Sequence, residues 1–373
     1  MTKAAFVYDH ALAEHTLRDG HPMKPQRLRM VHGLLEAYGA FGHPDALLVP
    51  PRPATVDELA LVHDRDYIDA VRALSGGRRV PAAPRHGFSG NGDNPVYPGM
   101  YEAALLSTGA SLVAAELVVA GRVPVAFSIS GGLHHAMRDH ASGFCIFNDP
   151  AIVCAWLVQR GLRVAYVDID AHHGDGVQQA FYTTDRVLTI STHESGRYLF
   201  PGTGDAAEIG EGAGRGYAVN LPLFPYTGDE CYLAAFEQVV PPLVEAFQPD
   251  VLVIQLGVDA YHSDPLTHLQ LTASAYHSVI PRLLRMAPKV VALGGGGYDL
   301  AAVTRLWTRA YGWMLGVEWP GAIPAVVAGR LGIASLQDAV APEVPAEVAV
   351  RAAAFVAEGI ATLRREVFPV HGL

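Results

Sequence analysis

The segment from Arg163 to Asp175, RVAYVDIDAHHGD, constrains this chain more than any other. Val164, Ala165, Tyr166 and Val167 read as a short buried strand, yet the eight residues after it supply three aspartates and two histidines. An apolar core cannot accept so many ionisable groups uncompensated, so this strand end must bind something. Asp168, Asp170 and His172 lie two apart, and an extended strand would project them to one side, where a divalent ion could collect them. Asp259, at the end of another apolar run, is the natural distant ligand. Two carboxylates and one imidazole leave an open coordination position, as a catalytic metal site requires. A lone strand-end Asp is ordinarily a turn or cap residue; the whole cluster argues for a metal.

Short apolar runs recur at Ala4–Tyr8, Val125–Ile129, Val187–Thr192, Val251–Leu256 and Val290–Leu293. Helical spacing fills the intervals: a helix begins at Pro25, and others are expected over Val56–Leu74, Gly99–Ala120, Ala151–Val158, Asp229–Phe247, Leu271–Met286, after Asp299, and over Val348–Leu363. Asp9–Lys24 reads as a polar loop and Glu194–Gly216 as a glycine-rich one. The alternation predicts an α/β fold: a single three-layer domain over residues 1–373, with a central, mostly parallel sheet of about eight strands covered by helices on both faces. His134, Asp170, Asp259 and Tyr298 each follow a strand directly, so all four should gather at the carboxyl edge of that sheet. The span from Gly76 to Tyr97 is too long for a simple connection, which marks it as functional, with Asp93 its most notable member.

Two further constellations carry chemistry. His134 and His135 are flanked by glycines that would let a substrate approach. Asp168 and Asp175 are available to accept one ring N–H each and to raise ring basicity, with His135 expected as general base. Tyr298 follows Gly294–Gly297. A phosphate cradle would want a Lys or Ser/Thr next, whereas Tyr298, Asp299 and Leu300 follow, so a phenol donor aimed at an oxyanion fits better. His10, His21, His262 and His268 read mostly as surface or structural residues, with His262 and His268 close enough to Asp259 in sequence to reach the site rim. His173 has no task we can derive.

Composition bounds the partners. A formal charge of -10 argues against nucleic acid, which requires a basic surface. Cys145, Cys154 and Cys231 form neither an even framework nor a metal-finger spacing, which suits a reducing, cytoplasmic setting. The N-terminal apolar run is too short for a signal peptide, and no run approaches the roughly 18 uncharged apolar residues of a membrane span.

Together the motifs resemble those of the zinc-dependent histone deacetylase family of the arginase/deacetylase superfamily. They are HPMKPQRLRM from His21, GGLHHA from Gly131, SGFCIFND from Ser142, DIDAHHGDGVQQAFY from Asp168, PGTGD from Pro201, GVDAYHSDPLTH from Gly257 and LGGGGY from Leu293. DPLTHL is similar to the bacterial acetoin-utilisation branch, HPMKPQR and SGFC to class I members. The resemblance implies an arginase/deacetylase fold and hydrolysis of acyl-lysine amides on a protein or peptide. By the same resemblance Asp170, His172 and Asp259 are metal ligands for Zn2+, with Fe2+ the alternative. His134, His135, Asp168, Asp175 and Tyr298 are catalytic. Gly143, Phe144, Phe200 and Leu266 line an acyl-lysine tunnel, Asp93 holds substrate backbone at its rim, and Arg27 lies beneath its floor. Asp168, Asp170, His172, Ser191 and Thr192, with Phe181, Thr184, Val187 and Tyr217, match positions around two K+ or Na+ sites, one near the metal and one remote. The alternatives are an amidohydrolase of small acylated amines such as acetylpolyamines, whose long dimerising insertion is not evident here, and a non-catalytic acyl-lysine binding module.

Overall fold

The computed structural model describes residues 3–373 apart from 16, 90, 91 and 339; residues 90 and 91 of the long loop 76–97 thus lie outside the described residues. Eight strands form one sheet: β1 (Ala4–Val7), β2 (Ala46–Val49), β3 (Val125–Ser128), β4 (Val164–Asp168), β5 (Val187–Glu194), β6 (Ala218–Leu223), β7 (Val251–Gln255) and β8 (Val290–Leu293). Their order is β2-β1-β3-β8-β7-β4-β5-β6, and every pairing is parallel. All but β2 are buried along their whole length, as expected of strands covered on both faces.

The helices are α1 (Gln26–Ala37), α2 (Val56–Leu59), α3 (Arg65–Ser75), α4 (Met100–Val119), α5 (Asp149–Val158), α6 (Asp175–Phe181), α7 (Asp229–Phe247), α8 (Ala273–Leu283), α9 (Leu300–Leu315), α10 (Ala325–Leu331) and α11 (Ala346–Glu366). On one side α4 packs on α5, β1, β3 and β8; on the other, α7, α8, α9 and α1 follow one another, with α7 against β4, β5 and β6 and α9 against β1. The three-layer α/β architecture read from the alternation is what the chain adopts.

Three local expectations need correction. The helix expected over Val56–Leu74 is two: Thr55 caps α2 in a reciprocal box with Glu58, and the chain then turns so that Asp64 N–H reaches Arg138 O before α3 begins. Strands β2 and β6 are additions to the expected set: β2, ALLV, is apolar but half-exposed and followed at once by two prolines, and β6, AVNLPL, is interrupted by Asn220 and Pro222, which an edge strand tolerates. Helix α10 also went unread. Helix α4 is long and apolar enough by length and composition to cross a membrane, although Glu102 and Glu116 leave only 13 uncharged residues between them, short of the expected uncharged span. More than half of the qualifying window is buried inside the protein, which is where a helix apolar on all sides belongs in a packed core.

Register explains why the chemistry converges. Ser128 pairs with Leu293, Leu293 with Gln255, Gln255 with Asp168, and Asp168 with Ser191. The last residues of four strands therefore stand in one row, with Ser191 of β5 in register, and the loops at 129–135, 169–175, 256–268 and 294–298 leave from one level. The chain order reverses across this part of the sheet, the usual place for a ligand crevice.

Candidate active site

Strand β4 ends at Asp168, so Asp170 and His172 are not aligned by strand pleating as the two-residue spacing suggested. The loop does it instead. Asp170 N–H donates to Asp168 Oδ1 and His172 N–H to Asp170 Oδ1, at 3.1 and 3.0 Å, turning the chain back on itself. One ligand-capable atom each from Asp170, His172 and Asp259 then lies within 4.8 Å of the others, all three residues buried. His172 Nδ1 is 2.8 Å from Asp259 Oδ2 and 3.2 Å from Asp170 Oδ1. The far carboxylate oxygens are fixed: Asp259 Oδ1 accepts from Ala171 N–H, and Asp170 Oδ2 from Gln255 Nε2 and Gly296 N–H, each at 2.7 Å. A Cβ at Gly296 would lie 2.1 Å from Asp259 Oδ2, so this turn needs glycine for the backbone to approach both carboxylates.

The electrostatics fit a cation here. Burial disfavours the imidazolium of His172, but Asp170 and Asp259 outweigh it and raise that group well above its ordinary value. Burial and then Asp170 push Asp259 up to about 7. Burial acts the same way on Asp170, but His134 and His172 overcome it and hold that carboxyl well below the usual range. Two buried carboxylates and one buried imidazole are a donor set that a divalent ion would hold together.

Beside this group, His134 Nδ1 is 2.7 Å from Asp168 Oδ2, and His135 Nδ1 is 2.7 Å from Asp175 Oδ1. Each carboxylate accepts the Nδ1–H and so turns Nε2 toward the cavity; the two Nε2 atoms are 3.1 Å apart. Burial opposes charge on both rings but the outcomes differ. Asp168 and Asp170 overcome it at His134, raised to about 9, while at His135 burial and His134 together lower the pKa. Tyr298 N–H donates to Asp264 Oδ2 at 2.7 Å, and burial together with Asp259 and Asp170 keeps its phenol protonated.

A cavity of about 210 Å3 opens above these groups, lined by Asp93, Gly143, Phe144, Phe200, Leu266 and Leu199 together with His135, His172 and Tyr298. The Phe200 ring stands 5.0 Å from His135 and the Phe144 ring 5.7 Å from Tyr298. Arg27 lies behind, buried, donating to Gly297 O at 2.9 Å, with its guanidinium over Trp307. Ser191 and Thr192 sit on β5 beside Asp168, Thr192 Oγ1 donating to Asp168 O at 3.2 Å. Phe181, Thr184, Val187 and Tyr217 gather at the opposite end of β5, where Thr189 N–H meets Tyr217 O. His262 and His268 do not line the cavity; His268 Nδ1 pairs with Glu194 at 2.8 Å instead.

Several contributors escaped the sequence reading. His21, read as surface or structural, is buried: its Nε2 donates to Asp93 O at 3.1 Å and its ring stands 4.7 Å from Phe144. Asp149 accepts from Gly132 and Leu133 N–H, and Asn148 donates to His134 O and Ala136 O, so together they set the His134 loop. Gln255 and Tyr166, the latter donating to Asp168 Oδ2 at 2.6 Å, brace the carboxylates. The available signal was a polar residue closing an apolar run, as in VLVIQ and CIFND.

A parallel sheet carrying two carboxylate-held histidines at its carboxyl edge, beside an Asp-His-Asp group that could hold a metal ion, is the frame of a hydrolase. Comparison with known proteins narrows this. The family described as "Histone deacetylase domain" matches residues 21–314. "Acetoin utilization protein AcuC" of Bacillus subtilis is 42% identical over 330 residues, covering 86% of this chain and 84% of that protein. Human "Histone deacetylase 1" is 39% identical over 323 residues, covering 86% of this chain and 66% of that protein. The crystal structure of an HDAC homolog from Aquifex aeolicus superposes with a TM-score of 0.87 at 32% identity, over 97% of this chain and 99% of that one. An HDAC homolog complexed with SAHA gives 0.88 at 31%, with the same coverage. The chain belongs to the histone deacetylase family, and its relatives include the AcuC proteins.

Proposed function

We propose that the protein, as one deacetylase domain over residues 1–373 in the cytoplasm, hydrolyses acetyl or other short acyl amides on the ε-amine of lysine in proteins or peptides. The cavity lined by Phe144, Phe200 and Leu266 and bordered by His135, His172 and Tyr298 carries this reading, because apolar walls suit the alkyl stem of a lysine and the polar groups beside them suit its acyl amide.

A divalent ion held by Asp170, His172 and Asp259, Zn2+ with Fe2+ the alternative, would supply Lewis acidity to the acyl carbonyl and acidify water. His135 accepts the water proton. It is the ring kept neutral by burial and by its neighbour, with Asp175 orienting Nδ1–H and leaving Nε2 as the base. His134, held by Asp168, keeps positive charge beside the site, and the amine leaving group takes a proton from this pair. Tyr298 donates its phenol hydrogen to the developing oxyanion. Asp93 holds substrate backbone at the rim, while Gly143, Phe144, Phe200 and Leu266 contact the lysine stem. K+ or Na+ would bind around Asp168, Asp170, His172, Ser191 and Thr192, and again around Phe181, Thr184, Val187 and Tyr217.

The test compares acetyl-lysine peptides with acetylpolyamines before chelation, after it, and after zinc or iron(II) is restored. Peptide turnover that is lost on chelation and recovered with metal is expected, and Tyr298→Phe should lower it by about a hundredfold or more. Turnover of acetylpolyamines alone would replace the substrate assignment, and an unaffected Tyr298→Phe enzyme would remove the phenol from it.

A further inference from the structure

His173 has no part in the chemistry above, yet it is buried next to His172 and sits within a closed circuit of hydrogen bonds. Its direction can be worked out atom by atom. His173 Nε2 faces Gln178 Oε1 at 3.2 Å, and Asn220 Nδ2 donates to the same oxygen at 2.6 Å. Gln178 Nε2 donates to Glu208 Oε2 at 2.8 Å, which fixes the amide orientation and makes His173 Nε2 a donor. On the other side of the ring, His173 Nδ1 lies 2.8 Å from the Thr203 hydroxyl. Glu208 Oε1 closes the circuit by accepting the N–H groups of Gly204 and Asp205, at 3.0 and 3.1 Å. A second buried ring, His193, donates from Nε2 to Gly204 O at 2.9 Å and meets Ser191 Oγ through Nδ1. Gly204 has a φ of 87°, and a Cβ there would lie 2.3 Å from His193 Nε2 and 2.8 Å from His173 Cγ, so the loop is seated directly on both rings.

The loop so held also carries Leu199 and Phe200, one wall of the cavity. We propose that His173, Gln178, Glu208 and His193 are positioning residues that clamp loop 196–205 to the metal-bearing segment and thereby set the width of the acyl-lysine cavity. The clamp fixes Phe200 against His135 rather than touching substrate, and its effect on selectivity rests on the lysine-deacylase reading above.

The circuit allows an isosteric test. In Glu208→Gln, keeping the loop N–H groups satisfied turns an amide NH2 toward the NH2 of Gln178. In Gln178→Glu, two carboxylates face each other. Combining both substitutions restores the match between these two positions, because amide and carboxylate have then exchanged places and the amide donates in the opposite direction. Each single variant should lose about tenfold in amide hydrogen-exchange protection at Gly204 and Asp205, as expected for one frustrated buried hydrogen bond. Each should also shift the kcat/KM ratio of butyryl- to acetyl-lysine peptide upward by about tenfold, with KM rising more than kcat falls. The double variant should return both readouts to wild type. Unchanged protection in both single variants, or no recovery in the double, would overturn the clamp; lost protection with an unchanged acyl ratio would overturn its role in selectivity. If the wild-type protein hydrolyses neither peptide, the deacylase reading fails, and amide exchange still decides whether the clamp exists.

Discussion

Two groups of histidines stand at the carboxyl end of the same sheet and could hardly differ more. The outer group lies beyond β1: the ring of His32 is stacked against Tyr8 at 4.3 Å and Phe41 at 4.9 Å, with His10 5.3 Å away. Its cavity holds about 420 Å3, twice the 210 Å3 of the central one. Volume alone would favour the outer group. Carboxylates reverse that ranking. In the centre each of three histidines has a carboxylate oxygen within 2.8 Å of its Nδ1, whereas His10 Nδ1 has the Tyr8 hydroxyl at 3.3 Å and burial lowers the pKa of His32. A carboxylate fixes the tautomer and raises basicity; an aromatic stack only fills space.

The strongest way to break this comparison is to remove a central carboxylate. Asp259→Ala should abolish metal retention, measured by atomic spectroscopy, and lower turnover on the order of a thousandfold, given that a Lewis acid supplies several kcal/mol to such a step. Stoichiometric metal with turnover within tenfold of wild type would show that Asp259 is not a ligand. Gly257 and Gly296 are poor substitutes as targets, because any Cβ there drives into the same carboxylates.

His63 sharpens the comparison from outside both groups. Among the described residues no carboxylate is in hydrogen-bond contact with it: Nδ1–H donates to Met137 O at 2.9 Å and Nε2 accepts Asn148 N–H at 2.9 Å. Burial outweighs these bonds and lowers its pKa to about 4. A base whose folded pKa is depressed binds fewer protons when folded, so its contribution is complete above pH 6.5 and is lost as pH falls toward 4. The 2.5-unit drop from 6.5 to 4 corresponds to about 3 kcal/mol. Denaturant unfolding of wild type and His63→Gln across that window should show the variant's pH slope flattened by one proton. Equal slopes would mean that His63 does not couple folding to pH. Because Asn148 also donates to His134 O, the loss should loosen the His134 loop before the metal ligands.

The central group was legible in sequence because its signal is local. Aspartates and histidines crowded after VAYV cannot be core, and glycines before His134 and Tyr298 mark strand-to-loop turns. The α/β layering was equally legible, since its apolar runs and helical intervals alternate. What could not be read is what register and loop folding add. Gln255 becomes a brace for Asp170 only because β7 lies beside β4 in register, and His21 reaches Asp93 only across a separation of 72 residues. The two-residue spacing of Asp168, Asp170 and His172 even suggested the wrong cause, an extended strand, where side chain-to-backbone turns do the aligning. Strand β6 escaped because an edge strand need not be continuously apolar, and β2 because its four-residue run, half-exposed and closed by prolines, gives little signal of its own.

The smallest expected effect belongs to the outer group and tests the comparison from its weak side. His32 supplies a flat ring between Tyr8 and Phe41, so His32→Phe keeps the stack and should change stability by less than about 1.5 kcal/mol, as a volume-conserving swap does. His10→Ala removes an exposed group whose one hydrogen bond among the described residues is to the Tyr8 hydroxyl at 3.3 Å. Among the described residues neither ring bonds to β3, β4, β7 or β8 or to any loop lining the central cavity, so kcat/KM on an acetyl-lysine peptide should stay within about twofold of wild type in both, as for surface changes away from the site. A drop of tenfold or more in either variant, with metal content intact, would mean that the outer cavity is coupled to the chemistry. The absence of a paired carboxylate would then no longer separate a structural histidine from a working one.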